Sequence, residues 1–465
     1  MALNLTDAFA LSEELGGLKI VFSTEFLGAP LGPDRFTKKF VEQKARQQRD
    51  SVDLLFQHGL PKQIALILLR RSRMLTMGFL ARLVPPHLAR HGMTVFDDLI
   101  QRAVFKLAAV PEDLVLETHL AQVYLPLAQG GLGFLRMRDR CAAAYLSSLN
   151  CVLGGKMNIF DGAAVDADAE APYPKLRFAV DMARSIISQD VEIYSVSRPL
   201  RDAFQDVDFK LEQHVAKLYG LKSKAELLAD DESKLRIHSS SAKGASSWML
   251  AVPTRWELRM PSSAVEDSLQ LVLGVSPPAM CACGANGVSL AHFLSCRTAF
   301  KGEATRRHHR VCDMMAHLHT LAGFRARREQ DFVDPLNNAL YRMDIIIEDC
   351  LNYKNTFLDV QVADPLAQRY SRNPDEAQEK ATEDKLRKYK DVCSRLQVRF
   401  VPLVITNKGK LAKSFHRHLD VVSRMFESRR DWSFAKARAF CYKVLSVSLQ
   451  IANSKLVHFA QGRWD

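Results

Sequence analysis

Three cysteines and one histidine crowd into 16 residues, and no other feature of the chain restricts local folding so tightly. Cys281-Ala282-Cys283 is followed by His292 and Cys296, with Gly284 and Gly287 free to turn the chain between the two pairs. Three thiolates and one imidazole are a closed tetrahedral set for Zn²⁺, the usual chemistry of a structural metal knuckle. The first pair has a single intervening residue, where two to four is usual. The alternative is a group of buried free cysteines beside a surface histidine. The other six of the nine cysteines are scattered singly. That pattern is no disulfide framework of a secreted domain.

Paired acids in apolar surroundings form the second feature. Asp344 lies within Tyr341–Ile347 and Asp359 within Phe357–Val362, both runs β-branched and apolar. Charges are rarely buried unless paired or bound to metal. If the two runs are adjacent antiparallel strands, the acids stand near each other on one face. Two close carboxylates repel, and Mg²⁺ with its preference for hard oxygen ligands would resolve the conflict. Glu329, just upstream, is a third acid that can join them. Lys385 is the expected cation on a phosphate, with Lys388 and Lys380 as substitutes on the same charged helix. The bland alternatives are a solvated charged helix and two aspartates with ordinary strand-end hydrogen bonds.

Net charge is +12 over 465 residues, which favours an anionic partner, commonly nucleic acid. Lys301, Arg306, Arg307, Arg310, Arg325, Arg327 and Arg328 concentrate that charge ahead of the two aspartates. Contacts of this type hold phosphates without reading sequence. The longest apolar candidate, Gln63–Leu69, runs into Arg70, Arg71 and Arg73, so no membrane span is expected. The first seven residues have neither a basic n-region nor an apolar h-region, which predicts a nuclear or cytoplasmic protein.

The order of elements predicts an α+β chain. Its N-terminal two-thirds are mainly helical, and the C-terminal part is an α/β domain. Two short strands, Leu18–Phe22 and Glu25–Gly32, precede a helical region over 33–152 that Pro61 and Pro85-Pro86 interrupt. Residues 153–185 read as a linker and 186–275 as helical again, with a break at Ser239–Ser241. After the cysteine cluster come a helix over 304–321, the strands 341–347 and 357–362, a charged helix over 374–396 and a closing strand over 398–405. An amphipathic segment over 434–459 ends the chain. Three features are read as non-catalytic. Asp97-Asp98 follows Thr94 in a helical run, Gly130–Gly133 lacks the context of a phosphate loop, and His317 and His319 read as partly exposed helix residues.

At these residues the chain resembles the C-terminal part of non-LTR retrotransposon polyproteins that carry a restriction-like PD-(D/E)XK endonuclease. Cys281-Ala282-Cys283-Gly284 with His292-Phe293-Leu294-Ser295-Cys296 is similar to the family knuckle, including its short first spacing. Arg307-His308 and Asp313 resemble the helix after it. Arg342-Met343-Asp344, then Leu358–Val362 with Asp364-Pro365-Leu366, resembles the nuclease core, and Lys385–Tyr389 with Phe400–Val404 its helix and closing strand. Upstream, Phe26–Gly32 is similar to the hairpin ending a reverse transcriptase palm, and Leu125–Leu127 with Gly130–Gly133 to the segment after the thumb. Met343 stands where the family often has proline. Gln361 stands where standard nucleases of this fold carry lysine, and relatives often move that lysine to the helix, which selects Lys385.

The resemblance implies the end of a palm over 1–32, a thumb-like region over 33–152 and a connector over 153–275. It then implies a CCHC zinc knuckle over 276–300, a restriction-endonuclease-like domain over 301–425 and a helical segment over 426–465. It implies metal-dependent nicking of target DNA by Asp344, Asp359, Lys385 and Glu329, with Mg²⁺ at Asp344 and Asp359 and structural Zn²⁺ at Cys281, Cys283, His292 and Cys296. Element RNA would be the second partner, the cut end priming reverse transcription. The polymerase acids would lie before Met1, so no polymerase activity is expected and the chain reads as a truncated element or a gene begun at an internal methionine. The rival reading is a remnant that binds nucleic acid without cutting it. A weaker one is a structural protein held together by its metal.

Overall fold

A computed structural model describes residues 21–57, 59–153, 178, 182, 185–186, 220, 224–225, 227–228, 231–288, 290–296, 302–350, 353–365, 367 and 374–462. Most of the linker expected over 153–185 and most of the expected strand over 18–22 lie outside them. The chain is α+β and divides into two compact units. One contains residues 1–54, 71–100 and 135–222, the other 55–70, 101–134 and 223–465. Among the described residues no helix is long and apolar enough to cross a membrane.

Where one strand is expected over 25–32, the first unit has a hairpin, β1 (Thr24–Phe26) and β2 (Ala29–Leu31). Leu27 and Gly28 form its turn with φ of 49° and 82°, the paired positive values that match the twist of a two-residue hairpin. Helices follow: α1 (Asp34–Gln57), α2 (Lys62–Leu68), α3 (Met74–Leu83) and α4 (Pro86–Leu107). The prolines act as expected, with Pro61 capping α2 and Pro86 opening α4. Then come α5 (Glu117–Tyr124) and α6 (Met137–Leu153). The buried Asp97 carboxylate accepts the N–H groups of Met137 (2.8 Å) and Arg138 (2.9 Å) at the start of α6, so it is a structural cap.

The second unit is built around its last helix. In chain order it takes in α2, the end of α4 and α5, and then α7 (Asp231–Ser240), α8 (Ser262–Leu273), α9 (Leu290–Ser295) and α10 (Glu303–Leu321). Three strands follow, β3 (Arg325–Val333), β4 (Leu340–Cys350) and β5 (Tyr353–Ala363). The chain closes with α11 (Pro374–Arg395), β6 (Arg399–Thr406), α12 (Lys413–Arg430) and α13 (Phe434–Ala460). The sheet order is β3-β4-β5-β6, antiparallel except for the β5–β6 pair that α11 connects. A parallel pair needs a long crossover, and a helix of this length supplies it.

The amphipathic reading of 434–459 is corrected. Helix α13 buries 18 side chains around its circumference and packs on α8, α9, α10 and α12. A helix apolar on every side belongs in a core. Its polar members are mostly spoken for. Ser446 Oγ donates to Ala245 O (2.8 Å) and accepts Trp248 N–H (3.1 Å), and Asn453 Nδ2 donates to Asn407 O (2.8 Å).

The expected partial exposure of His319 is also corrected. His319 and His418 are fully buried, with their Nε2 atoms 2.8 Å apart. Two imidazoles this close share one proton between them. Desolvation lowers the pKa of His319 to about 4, and desolvation with the facing His319 lowers that of His418. The unfolded histidines gain protons near pH 6.5 and the folded ones do not, so stability is complete above that pH. The melting temperature should therefore fall as pH drops from 6.5 toward 4. A His319→Gln/His418→Gln chain should lose that part of the slope; an unchanged slope would show that the pair does not titrate as described.

Candidate functional site

Two clusters of ligand-type side chains stand in the second unit. In the first, Cys281 and Cys283 sit on a turn that Gly284 (φ 86°) and Gly287 (φ 67°) make possible. Cys281 N–H donates to Ala285 O and Gly284 N–H to Cys281 O, each at 2.8 Å, and Ala279 bridges Val288 across the turn. His292 is presented by α9 and Cys296 directly follows it. Leu290, Phe293 and Leu294 pack with Leu456, Val457 and Ala460 of α13, which anchors the loop to the core.

The four donor atoms lie within 4.8 Å of one another. Cys281 and Cys296 Sγ are 3.6 Å apart, and Cys283 Sγ lies 3.4 Å from His292 Nε2. A disulfide needs about 2.05 Å, so the thiols are not bonded. Tetrahedral ligands at about 2.3 Å (sulfur) and 2.0 Å (nitrogen) from Zn²⁺ stand about 3.8 and 3.5 Å apart, close to both observed separations. The cluster can hold a metal such as zinc, and every residue expected for it is in place.

The second cluster crosses the sheet. Register pairs Arg328 with Ile345 and Gln330 with Met343, which sets Glu329 opposite Asp344. One pair beyond Ile345 and Leu358, Asp344 stands opposite Asp359, whose own partner on β6 is Pro402. The three acids thus occupy one row, and the ladder is interrupted there. Glu329 has a φ of 49°, in the left-handed region. Phe332, which pairs with Tyr341, lies 5.0 Å from Phe357, which pairs with Ile346. Five residues of straight strand would separate those rings by about 16 Å, so the β3–β4 hairpin bends sharply at the acidic row.

Compensation for the acids comes from both neighbouring helices. Asp344 Oδ2 accepts the Val360 N–H (2.7 Å), and Oδ1 lies 3.2 Å from His308 Nε2 on α10. Burial pushes the Asp344 pKa up, but His308, the Val360 N–H and the Lys385 charge outweigh it and hold the carboxyl below its ordinary value. Asp359 is buried, and Lys385 Nζ on α11 is 2.5 Å from its Oδ2. That contact is a close ion pair, and it occupies Oδ2 in this structure. Burial raises its pKa, Lys385 opposes the rise and Asp344 adds to it.

The fourth expected residue, Glu329, shares the row but not the contacts. Its carboxylate is 3.4 Å from His309 and 3.7 Å from Arg328. Of the substitute lysines, Lys380 pairs with Glu376 and Lys388 lies over the Tyr389 ring at 4.7 Å. Sequence gives His308 and Cys312 no chemical role, yet both face Asp344, with Cys312 Sγ 3.5 Å from His308 Nε2. Their four-residue spacing on the expected 304–321 helix is the signal that would have paired them.

The basic group ahead of the aspartates is not one patch. Arg307 is buried, its pKa lowered to about 10 by desolvation, with its Nη1 3.3 Å from Asn453 Oδ1. Arg306 and Arg310 line with it a cavity of about 470 Å³ under α8 and α13 that also takes Lys455 and His458. Arg327 pairs with Glu348 (2.6 Å) and Arg328 with Asp313 (2.9 Å) on the sheet side. Lys301 lies outside the described residues. No protein-family model matches the chain, and no curated protein matches it at a significant level.

At limiting Zn²⁺ the chain should take up one tightly held ion at the cysteine cluster. Removing it with a chelator should lower the melting temperature by at least several degrees, because binding energy at a structural site is folding energy. A Cys281→Ser/Cys296→Ser chain should bind none at that level. Equal uptake by that chain would place the ion elsewhere.

Proposed function

We propose that the second unit is a nucleic-acid-cutting module in which residues 301–425 form a restriction-like endonuclease and residues 276–300 a structural zinc knuckle. The observation that carries the reading is the row itself: Asp344 opposite Asp359 at a bend in the sheet, with Lys385 on Asp359. Two carboxylates are brought together in a mostly buried site where mutual repulsion works against folding. Such an arrangement is costly unless something binds there. The helix–strand–strand–strand–helix–strand order and the mixed sheet are compatible with the proposed fold.

The donor set suits Mg²⁺, because Asp344 and Asp359 are hard oxygen donors set opposite each other, and Lys385 can move from Asp359 to a phosphate when an ion takes its place. Asp344 and Asp359 would hold the ion. When bound, it polarises a phosphoryl oxygen and makes attached water more acidic. Lys385 neutralises Asp359 in the resting site and is placed to meet negative charge on a phosphate. His308 fixes the rotamer of Asp344. The expected substrate is a DNA phosphodiester, cut by hydrolysis on one strand, with element RNA as a second ligand of the same chain. A nuclear location would follow from that substrate.

A second reading is favoured by the cavity lined by Arg306, Arg307, Arg310 and Lys455, which offers phosphate contacts away from the acidic row. On that reading the chain grips nucleic acid and cuts nothing.

Supercoiled plasmid with Mg²⁺ separates the two. The intact chain should relax it, and an Asp344→Ala/Asp359→Ala chain should not, with a loss of at least 100-fold. Lys385→Met should cut slowly and only at higher pH, since loss of the cation raises the Asp359 pKa further. Salt-dependent DNA binding without relaxation would favour the binder. Binding indifferent to salt, with no relaxation, would contradict both and favour a structural protein held by its metal.

A further inference from the structure

Asp344 has neighbours that the hydrolytic reading leaves unused. On α10, His308 and Cys312 are one turn apart, and their donor atoms converge with a carboxylate oxygen of Asp344, all three within 4.8 Å. The His308 Nε2–Asp344 Oδ1 and His308 Nε2–Cys312 Sγ separations are 3.2 and 3.5 Å. Ligands of a tetrahedral zinc-class ion at ordinary bond lengths would stand about 3.4 and 3.5 Å apart for these atom types. One imidazole, one thiolate and one carboxylate with a free fourth position is the donor number of open, solvent-accessible zinc centres. Cys312 is fully buried, while His308 and Asp344 keep 26% and 19% of their side chains exposed, so an ion can enter from their side.

We propose that His308, Cys312 and Asp344 form a second metal site, selective for a zinc-class ion over Mg²⁺. A thiolate and an imidazole are soft and borderline donors that bind Zn²⁺ or Co²⁺ well and Mg²⁺ poorly. Binding releases the Cys312 thiol proton to solvent and displaces the proton between His308 Nε2 and Asp344, so that neutral His308 carries its ring proton on Nδ1 and Nε2 offers its lone pair. The surrounding charge permits a cation: Asp344, Asp359, Asp313 and Glu329 stand against Lys385 and Arg328. The ion would take an oxygen of Asp344 that the nuclease needs for Mg²⁺. Zinc would therefore oppose Mg²⁺-dependent cutting. This consequence rests on the nuclease reading; the binding does not.

Titration of the full chain with Co²⁺, with metal content measured after dialysis, tests the site. The intact chain should hold two ions. Its thiolate-to-cobalt absorption should rise by about one third between the first and second, as sulfur ligands go from three to four. Cys312→Ala and His308→Gln chains should each keep the first ion, with unchanged circular dichroism, and fail to bind the second. His308 is partly exposed, so its variant is the safer of the two for folding. One ion in the intact chain, or two in the Cys312→Ala chain, would overturn the proposal. Two ions in the titrated chain, together with no plasmid cutting under Mg²⁺ by chain that carries only the first ion, would support the site and count against the nuclease.

Discussion

Carboxylates inside a β-sheet have to be compensated or neutralised, and the second unit is arranged around that requirement. Asp344 and Asp359 face each other where the β3–β4 hairpin bends; the β3–β4 pairing skips the row and resumes at Gln330 and Met343, and the β4–β5 pairing stops beside it. Two helices bring cationic or hydrogen-bonding groups to it, α10 with His308 and α11 with Lys385. The two acids then diverge. Asp344, hydrogen-bonded on both oxygens, is held ionised, whereas Asp359, buried with one charge contact, is pushed toward its neutral form. Environments that split a pair of like groups in this way are typical of chemical sites.

The helices can deliver those side chains because they are fixed from behind. Helix α10 packs on α13, the buried helix that also carries the cysteine loop through Leu456, Val457 and Ala460. Helix α11 is locked to the sheet by Met343, Phe357, Tyr389, Val392 and Cys393. The cysteine cluster, the core helix and the acidic row are thus links in one packed body.

Much of this was legible in the sequence, for identifiable reasons. Cys281, Cys283, His292 and Cys296 carry their chemistry in their spacing. Strands β4, β5 and β6 announce themselves as apolar β-branched runs, and Asp344 and Asp359 stand out against them. Strand β3 did not, because Arg325, Arg327, Arg328 and Glu329 read as a basic patch. It is an edge strand with no fully buried residue, and charge on such an edge blocks pairing with other chains. The role of His308 was hidden because a single histidine on a charged helix gives no direction until the sheet is in place. His319 and the segment over 434–459 depart from their sequence reading for the same reason, since burial on all sides comes from neighbours distant in sequence.

The central claim is that the acidic row binds a divalent cation. Crystals grown with Mn²⁺ in place of Mg²⁺, with the cysteine cluster filled by Zn²⁺, test it most directly through anomalous scattering at the manganese edge. The account predicts a peak coordinated by carboxylate oxygens of Asp344 and Asp359. An ordered row with no manganese, Asp359 still held by Lys385, would contradict it.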